Sequence, residues 1–318
     1  MRIVTALLIL FAFPVNQAYT QETANNKILW TTDWSPDGSY IAVGGNTDTL
    51  KIYHSEDLQL FKSYAIKSTI TCVKWHPFNS ILAIGTQVPN GKVLILDIET
   101  NITVDLEGIS TDGARGIDWN YSGDFLAVAD NDGQTSIFNS AGTKIHSIQQ
   151  ENTRSLTSVD WHPEKNIFIT VGDKIRIYDF GGALIKTIVH RPEDVLLLCV
   201  AWHNSGAFFV TGDYGDNQLD YKPLLQFWNA DGELMKSIAL SKGEYRNLAW
   251  NSRGNRLASA SDALRIWDTD GNLISEGYSA DYLWGVSWNK RGNRIVTSGK
   301  EQGVIIWDNK ARKEMIRE

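Results

Sequence analysis

The chain repeats one pattern of apolar and polar positions seven times. Each copy has a short apolar stretch that ends in tryptophan, then a polar stretch, then a second apolar stretch. A repeat of this kind, with a period of several tens of residues, indicates an array of one supersecondary unit. The seven tryptophans, called anchor tryptophans below, lie 38 to 48 residues apart and are Trp34, Trp75, Trp119, Trp161, Trp202, Trp250 and Trp288.

Each unit has the pattern of four short β-strands. In the polar stretch after the anchor, residues such as Pro36 and Gly38 favour a tight turn between two strands. A third apolar run ends on an aromatic residue in most units, and a fourth run alternates apolar with polar positions. No stretch within the units has the 3.6-residue period of an amphipathic helix. The pattern therefore predicts an all-β protein with four antiparallel strands per unit.

The positions before each anchor predict an irregularity in the first strand. The residues two and five positions before the anchor are apolar in nearly every unit, as Val73 and Ile70 are in the second. Two buried positions three residues apart cannot lie on the same face of a flat strand, so we expect a β-bulge between them. Such a bulge changes the direction of the neighbouring side chains.

The units resemble the WD-repeat family of β-propellers. Two of them end in the Trp-Asp dipeptide that gives the family its name, at residues 267–268 and 307–308, and two others end in close variants at residues 178–179 and 228–229. The resemblance runs from about Ile28 to the C-terminus. It implies a seven-bladed β-propeller with four antiparallel strands per blade, formed by residues 21–318 as a single domain.

Two departures from the family pattern change these expectations. Many members carry a Gly-His pair before each unit, whose histidine joins a buried network with a turn aspartate. This chain lacks the pair, so we expect the network to be absent. Many members also pair an N-terminal strand into the last blade. Because the units here begin with an innermost strand and end with an outermost one, we expect the ring to close by whole blades packing side by side.

The first residues fall outside the repeats. Arg2 precedes an apolar run from Ile3 to Phe13, and a polar stretch follows. This arrangement predicts a signal peptide at residues 1–20, and the run is too short to cross a bilayer. The interpretation makes the protein exported, either periplasmic or secreted. If residues 1–20 are not a signal, the same propeller would act inside the cell.

Candidate catalytic chemistry is sparse. His76, His162 and His203 each follow an anchor in a different unit, so they cannot share a metal ion. The acidic clusters at residues 130–132 and 213–220 fit solvated turns better than calcium sites. We therefore expect no enzyme activity, no cofactor and no metal. The formal charge of −7 also argues against a nucleic-acid partner.

A partner-binding surface is the main functional prediction. In the family, the usual interaction face is the one where the innermost strands begin, which corresponds here to the residues four and six positions before each anchor. Units six, seven and one concentrate there the aromatic and arginine side chains that dominate interfaces, with a further arginine elsewhere on the rim. The predicted binding residues are Trp30, Arg115, Glu244, Arg246, Tyr282 and Trp284.

We expect this face to bind a protein or peptide, so that the protein is a non-catalytic scaffold without an integral membrane span. The alternative function is an enzyme, or a module that binds carbohydrate or another small ligand. In either case polar groups at the mouth of the channel would contact the ligand.

Overall fold

The computed structural model describes residues 27–150, 155–300 and 303–317. These residues form seven four-stranded antiparallel sheets, and each sheet contains four consecutive strands. Each sequence unit is therefore one blade, and the predicted seven-bladed β-propeller is confirmed. The described residues contain no helix, and so none with the length and hydropathy that a membrane crossing requires.

The strands, in chain order and four to a blade, are β1 (Thr31–Trp34), β2 (Tyr40–Gly44), β3 (Thr49–His54), β4 (Leu60–Ala65), β5 (Thr69–Trp75), β6 (Ile81–Gln87), β7 (Val93–Asp97), β8 (Thr103–Asp105), β9 (Ala114–Trp119), β10 (Phe125–Asp130), β11 (Gln134–Asn139), β12 (Lys144–Gln149), β13 (Ser158–Trp161), β14 (Ile167–Val171), β15 (Ile175–Asp179), β16 (Leu184–Ile188), β17 (Leu197–Trp202), β18 (Phe208–Asp213), β19 (Leu225–Asn229), β20 (Leu234–Ile238), β21 (Asn247–Trp250), β22 (Leu257–Ala260), β23 (Leu264–Trp267), β24 (Leu273–Gly277), β25 (Leu283–Trp288), β26 (Arg294–Gly299), β27 (Val304–Asp308) and β28 (Lys313–Arg317).

The hydrophobic core is divided among the seams between blades. Seven clusters of buried apolar side chains are present, and each draws its residues from two neighbouring blades. A blade on its own would leave both of its apolar faces exposed to water. Each blade therefore depends on its two neighbours for burial, which is the usual energetics of repeat proteins.

The anchor tryptophans end the innermost strands and connect neighbouring blades. The backbone N–H of Trp161 donates to Asp118 Oδ2 at 2.9 Å, and its indole Nε1 donates to the Asp118 carbonyl at 3.1 Å. Trp75 makes the same two bonds to Asp33, at 2.9 and 3.2 Å. The residue before one anchor thus holds the next anchor in place.

The predicted bulges occur in the innermost strands of blades 2, 3, 5 and 7. In each of them the residue four positions before the anchor has no partner in the ladder with the second strand. In blades 1, 4 and 6 the strand begins after that position. The residues without a ladder partner are Thr71, Arg115, Leu198 and Trp284.

Blade 7 packs directly against blade 1 to close the ring. Leu29 N donates to Gly299 O at 3.0 Å, and Trp34 N donates to Ser287 Oγ at 3.2 Å. Among the described residues, no strand of one blade joins the sheet of another. Residues 1–20, the predicted signal peptide, lie outside the described residues.

Blade 5 places a histidine beside a buried aspartate, but neither ring nitrogen of His190 has a hydrogen-bond partner among the described residues. His190 Nε2 lies 3.5 Å from Asp213 Oδ2, and Trp228 Nε1 donates to Thr211 Oγ1 at 3.0 Å. Blades 6 and 7 keep the same bond from a tryptophan to a serine or threonine hydroxyl. His190 follows Val189 rather than a glycine, so a search for a Gly-His pair cannot find it.

Candidate partner-binding surface at the channel mouth

A cavity of about 380 Å³ runs along the axis of the ring. All seven residues that stand four positions before an anchor line this cavity, because the bulge or the strand start turns them toward the channel. They are Trp30, Thr71, Arg115, Thr157, Leu198, Arg246 and Trp284. We call the end of the channel that they surround the mouth.

Four of these side chains form a continuous row across the mouth. The rings of Trp30 and Trp284 lie 4.9 Å apart between centroids and are tilted by 51°. The Arg246 guanidinium lies 3.9 Å from the centre of the Trp284 ring, and the Arg115 guanidinium lies 5.6 Å from the centre of the Trp30 ring. Stacking on the two indoles favours both cations. The order across the mouth is therefore Arg, Trp, Trp, Arg.

The remaining two predicted residues extend this row outward. Glu244 forms an ion pair with Arg246. Tyr282 is 47% exposed, and its ring lies against Gly243. The structure thus brings all six predicted residues to one region, which we call the mouth patch: Trp30, Arg115, Glu244, Arg246, Tyr282 and Trp284.

The position of Arg115 differs from the expectation. The order of the blades places it away from units six, seven and one, yet its side chain reaches Trp30 of blade 1. Its Nη2 also donates to Gln87 Oε1 at 3.4 Å. Blade 2, which lies between them, contributes only the small side chain of Thr71 to the mouth. A long arginine side chain can therefore cross that gap.

Sequence reasoning missed a second group of charged residues in the channel. The residues directly before the first four anchors are Asp33, Lys74, Asp118 and Asp160; three of them line the same cavity, and Asp118 lies beside Lys74. Lys74 Nζ lies 3.3 Å from Asp118 Oδ1. The signal is present in the sequence as a charged residue before each of these four tryptophans. Each of these positions alone resembles an ordinary polar residue of a strand. Only the folded ring shows that the four side chains lie close together.

The environment of these groups shifts their ionisation. Burial raises the pKa of Asp33, Asp118 and Asp160, and the neighbouring charge of Asp118 raises the pKa of Asp160 further. The Asp118 carboxylate in turn raises the pKa of Lys74, which keeps that amine charged. Each of the three carboxylates accepts a backbone N–H from the anchor of the next blade. Their contacts are those of groups that join blades.

We expect the Asp160→Asn variant to be more stable than the wild type at pH 8. When folding raises the pKa of a carboxyl group, protonation of that group stabilises the folded state. This stabilisation is complete only at a pH below the pKa in the unfolded chain, which is about 4. That contribution is lost as the pH rises through the folded pKa. The amide oxygen of asparagine can still accept the bond from Trp202 N, now 2.6 Å long, without a buried charge. Melting temperatures measured between pH 4 and pH 8 check this, and the gain should shrink toward pH 4.

Asp231→Asn is the matched control, because it removes the same charge from an exposed turn. Its melting temperature should follow the wild type across this pH range. A loss of stability in Asp160→Asn at pH 8 would show that the fold needs the ionised carboxylate.

Carboxylates of the two acidic clusters, at residues 130–132 and 213–220, accept hydrogen bonds from the backbone of loops. Asp130 Oδ1 accepts backbone N–H bonds from Asp132 and Gln134, at 3.0 and 2.9 Å. Asp213 is fully buried and accepts two backbone N–H bonds from the insertion that follows it. Within the described ranges, no three or more His, Cys, Asp or Glu side chains are grouped so that they could hold a metal ion.

Comparison with known proteins identifies relatives that align with between about half and about four fifths of this chain. Residues 30–197 match the family model described as the WDR19 first beta-propeller, and residues 271–308 match the WD domain, G-beta repeat. Echinoderm microtubule-associated protein-like 2 of Rattus norvegicus is 27% identical over 247 residues, which are 75% of this chain and 34% of that protein. Anaphase-promoting complex subunit cdc20 of Dictyostelium discoideum is 22% identical over 267 residues, 79% of this chain and 51% of that protein.

Intraflagellar transport protein 80 homolog of Mus musculus is 24% identical over 176 residues, 45% of this chain and 22% of that protein. The chain therefore spans between about a fifth and about a half of the length of these relatives. The prediction that the protein is exported is wrong. The names of the relatives connect them with microtubules, with the anaphase-promoting complex and with intraflagellar transport, which are intracellular systems.

The sequence units, the ring and the family models agree with one another. The first family model covers more than half of the chain, and the second covers a unit near its end. The seven blades follow the seven sequence units without exception. The chain belongs to the WD-repeat family of β-propellers.

Proposed function

We propose that this protein is a non-catalytic scaffold that acts inside the cell and binds a protein or peptide partner through the mouth patch. The observation that carries the proposal is the row of two arginines and two tryptophans across the mouth. Tryptophan, tyrosine and arginine supply most of the binding energy in measured interfaces. The rigid ring holds these side chains in place, which lowers the entropy lost when a partner binds.

The burial of the patch supports a role in binding. Trp30 and Trp284 are half-buried at the mouth and belong to none of the seven core clusters. A pair of large indoles that neither fills the core nor lies fully in water has apolar surface left to bury against a partner. The intracellular location is supported by the relatives, which are named for intracellular systems.

A catalytic function has less support. An enzyme of this architecture would need polar groups in the channel that are available to a substrate. The three channel carboxylates instead accept backbone N–H groups of the following blades. Asp118 is in addition paired with Lys74. These bonds support a role of the three carboxylates in blade packing.

Affinity capture from an extract of its native cells tests the proposal. The full chain and the Trp30→Ala/Trp284→Ala double variant are used as baits, and the captured proteins are compared by quantitative mass spectrometry. We expect at least one protein to be retained by the wild type and lost from the variant. For that partner, each single alanine variant should weaken binding by at least about 30-fold, which corresponds to an interface residue that contributes about 2 kcal/mol.

The matched control is the Phe78→Ala/Tyr121→Ala variant, which removes two exposed aromatic side chains from the opposite face of the ring. It should capture the same proteins as the wild type. If the Trp30→Ala/Trp284→Ala bait is folded and captures the wild-type set of proteins, the mouth patch is not the binding surface. Circular dichroism of each bait establishes that it is folded.

A further inference from the structure

The seam between blades 7 and 1 lacks a bridge that several other seams have. On the face opposite the mouth, called the turn face, the residue after an anchor often reaches the turn of the next blade. His76 Nε2 lies 3.0 Å from Gly123 O, and His203 Nε2 lies 2.6 Å from Gly254 O. In blade 7 the equivalent residue, Asn289, bonds within its own turn.

The blade 1 side of this seam is correspondingly open. A Cβ atom added to Gly123 or to Gly254 would touch the histidine of the preceding blade. A Cβ atom added to Gly38, the equivalent glycine of blade 1, would have no heavy atom within 4 Å. Blade 7 therefore places no heavy atom against this glycine.

The outer edge of the same seam lacks a second bridge. In blades 1, 4 and 5 a lysine of the outermost strand donates to a carbonyl in the following blade, as Lys236 does to Asp270 O at 2.7 Å. In the ladder between the third and fourth strands of a blade, this lysine pairs with the residue that precedes the aromatic residue near the end of the third strand. In blade 5, Lys236 pairs with Phe227. In blade 7 the residue at this position, opposite Ile306, is Met315. Methionine cannot donate such a bond.

A groove of about 940 Å³ opens on the turn face at this seam, and we call it the seam groove. Its two walls carry opposite charges. Blade 1 contributes three carboxylates, and blade 7 contributes three cations and one carboxylate, so that the blade 7 wall has a net positive charge. Among the described residues no ion pair joins the two walls. The charged residues are Asp37, Glu56 and Asp57 on blade 1 and Lys290, Arg291, Arg294 and Glu314 on blade 7, where Glu314 forms an ion pair with Arg294.

The blade 1 wall also has aromatic side chains. Tyr40 and His54 both line the seam groove, with their ring centroids 5.5 Å apart. Phe61 stacks on Tyr40 at 4.6 Å and supports it from outside. A planar cation can pair with carboxylates while it stacks on such rings, and guanidinium does both better than an ammonium group.

We propose that the seam groove is a second binding site, which takes an extended peptide segment with an arginine against blade 1 and a carboxylate side chain against blade 7. The arginine would lie between Glu56 and the aromatic rings. The carboxylate would face Lys290 and Arg291, which are both exposed. The volume of the groove is near the upper end of the range for small-molecule pockets, which suits several peptide residues. The acidic wall disfavours a nucleic-acid strand.

Selection from a phage-displayed library of short random peptides tests this site on the immobilised full chain. The selected peptides are then synthesised, and their affinities are measured by fluorescence anisotropy. We expect them to share an arginine and, a few residues away, an aspartate or glutamate. The variants Glu56→Lys and Arg291→Glu should each weaken binding by at least about tenfold, since like charges then face each other.

Two controls separate this site from the mouth patch. Glu107→Lys makes the same charge change as Glu56→Lys at an exposed position elsewhere, and it should leave binding unchanged. The Trp30→Ala/Trp284→Ala variant should also bind the peptides normally. The proposal is overturned if no peptide is enriched, if the enriched peptides lack the paired charges, or if they bind Glu56→Lys and Arg291→Glu as tightly as the wild type. Loss of binding in the tryptophan variant would assign the peptides to the mouth.

Discussion

The Trp161→Ala variant is expected to lose about 3–5 kcal/mol of unfolding free energy, the usual cost of removing a buried tryptophan side chain. Trp161 is 4% exposed, and its ring packs edge-on against Phe168 with 5.0 Å between centroids. Alanine would leave a cavity at the seam between blades 3 and 4. It would also leave the Asp118 carbonyl without the indole donor that now lies 3.1 Å away. Urea titration followed by tryptophan fluorescence and circular dichroism measures the loss.

Trp161→Phe provides the comparison, because it keeps an aromatic ring at the seam and removes the indole N–H. We expect it to cost less than half as much as the alanine variant. A loss below about 1 kcal/mol for Trp161→Ala would be typical of a surface position. That result would mean that the anchor tryptophans do not hold the blades together.

The second large effect is expected at Gly113, which stands between blades 2 and 3. This residue has a φ of 92°, and an added Cβ atom would overlap Thr86 O and lie 2.7 Å from Gln87 Cα. An alanine there has to adopt a left-handed conformation and also push two backbones apart. The conformation costs roughly 1–2 kcal/mol and the overpacking about 1–3 kcal/mol more. Gly113→Ala should therefore lose about 2–5 kcal/mol of unfolding free energy in the same titration.

Gly38→Ala separates these two contributions. Gly38 has a φ of 84°, close to that of Gly113, but the space around its Cβ position is open. It should show only the conformational cost of roughly 1–2 kcal/mol. Equal losses in the two variants would mean that the contact between blades 2 and 3 relaxes freely around an added methyl group.

The fold could be predicted from the sequence because the same pattern of apolar and polar side chains recurs in each blade. An anchor such as Trp161 must lie between two blades, so its position recurs with every unit and sets the period. The turns and the alternating strands follow from side-chain patterns within a few residues. The bulge was predictable for the same reason, since Ile70 and Val73 are both buried and only three residues apart.

The mouth patch was predictable as far as the bulge determines it. The family resemblance assigned the positions four before each anchor to one face of the ring, and the bulge turned their side chains outward, so Trp30, Arg246 and Trp284 could be placed there. The reach of Arg115 to Trp30 could not, because it depends on the small side chain of blade 2 between them. The buried charges around Lys74 were missed because four residues from four different units meet only when the ring closes.

His190 and the cellular location illustrate two other limits of the sequence. The histidine of blade 5 lies beside Asp213 although the residue before it is not glycine, because burial and distance decide the contact and the dipeptide does not. The exported location was inferred from an apolar run that lies outside the repeated units. That segment lies outside the described residues, so the fold gave no test of the inference.

The way the ring closes has a consequence for how such a chain can change in evolution. Because every sheet consists of four consecutive strands, one uninterrupted piece of sequence encodes a complete blade. A duplication or deletion of one such piece adds or removes a blade without cutting any sheet. Circular permutation at a seam likewise leaves all seven sheets intact, provided that a linker joins the old ends. A propeller that shares one sheet between its two ends lacks this freedom at that blade.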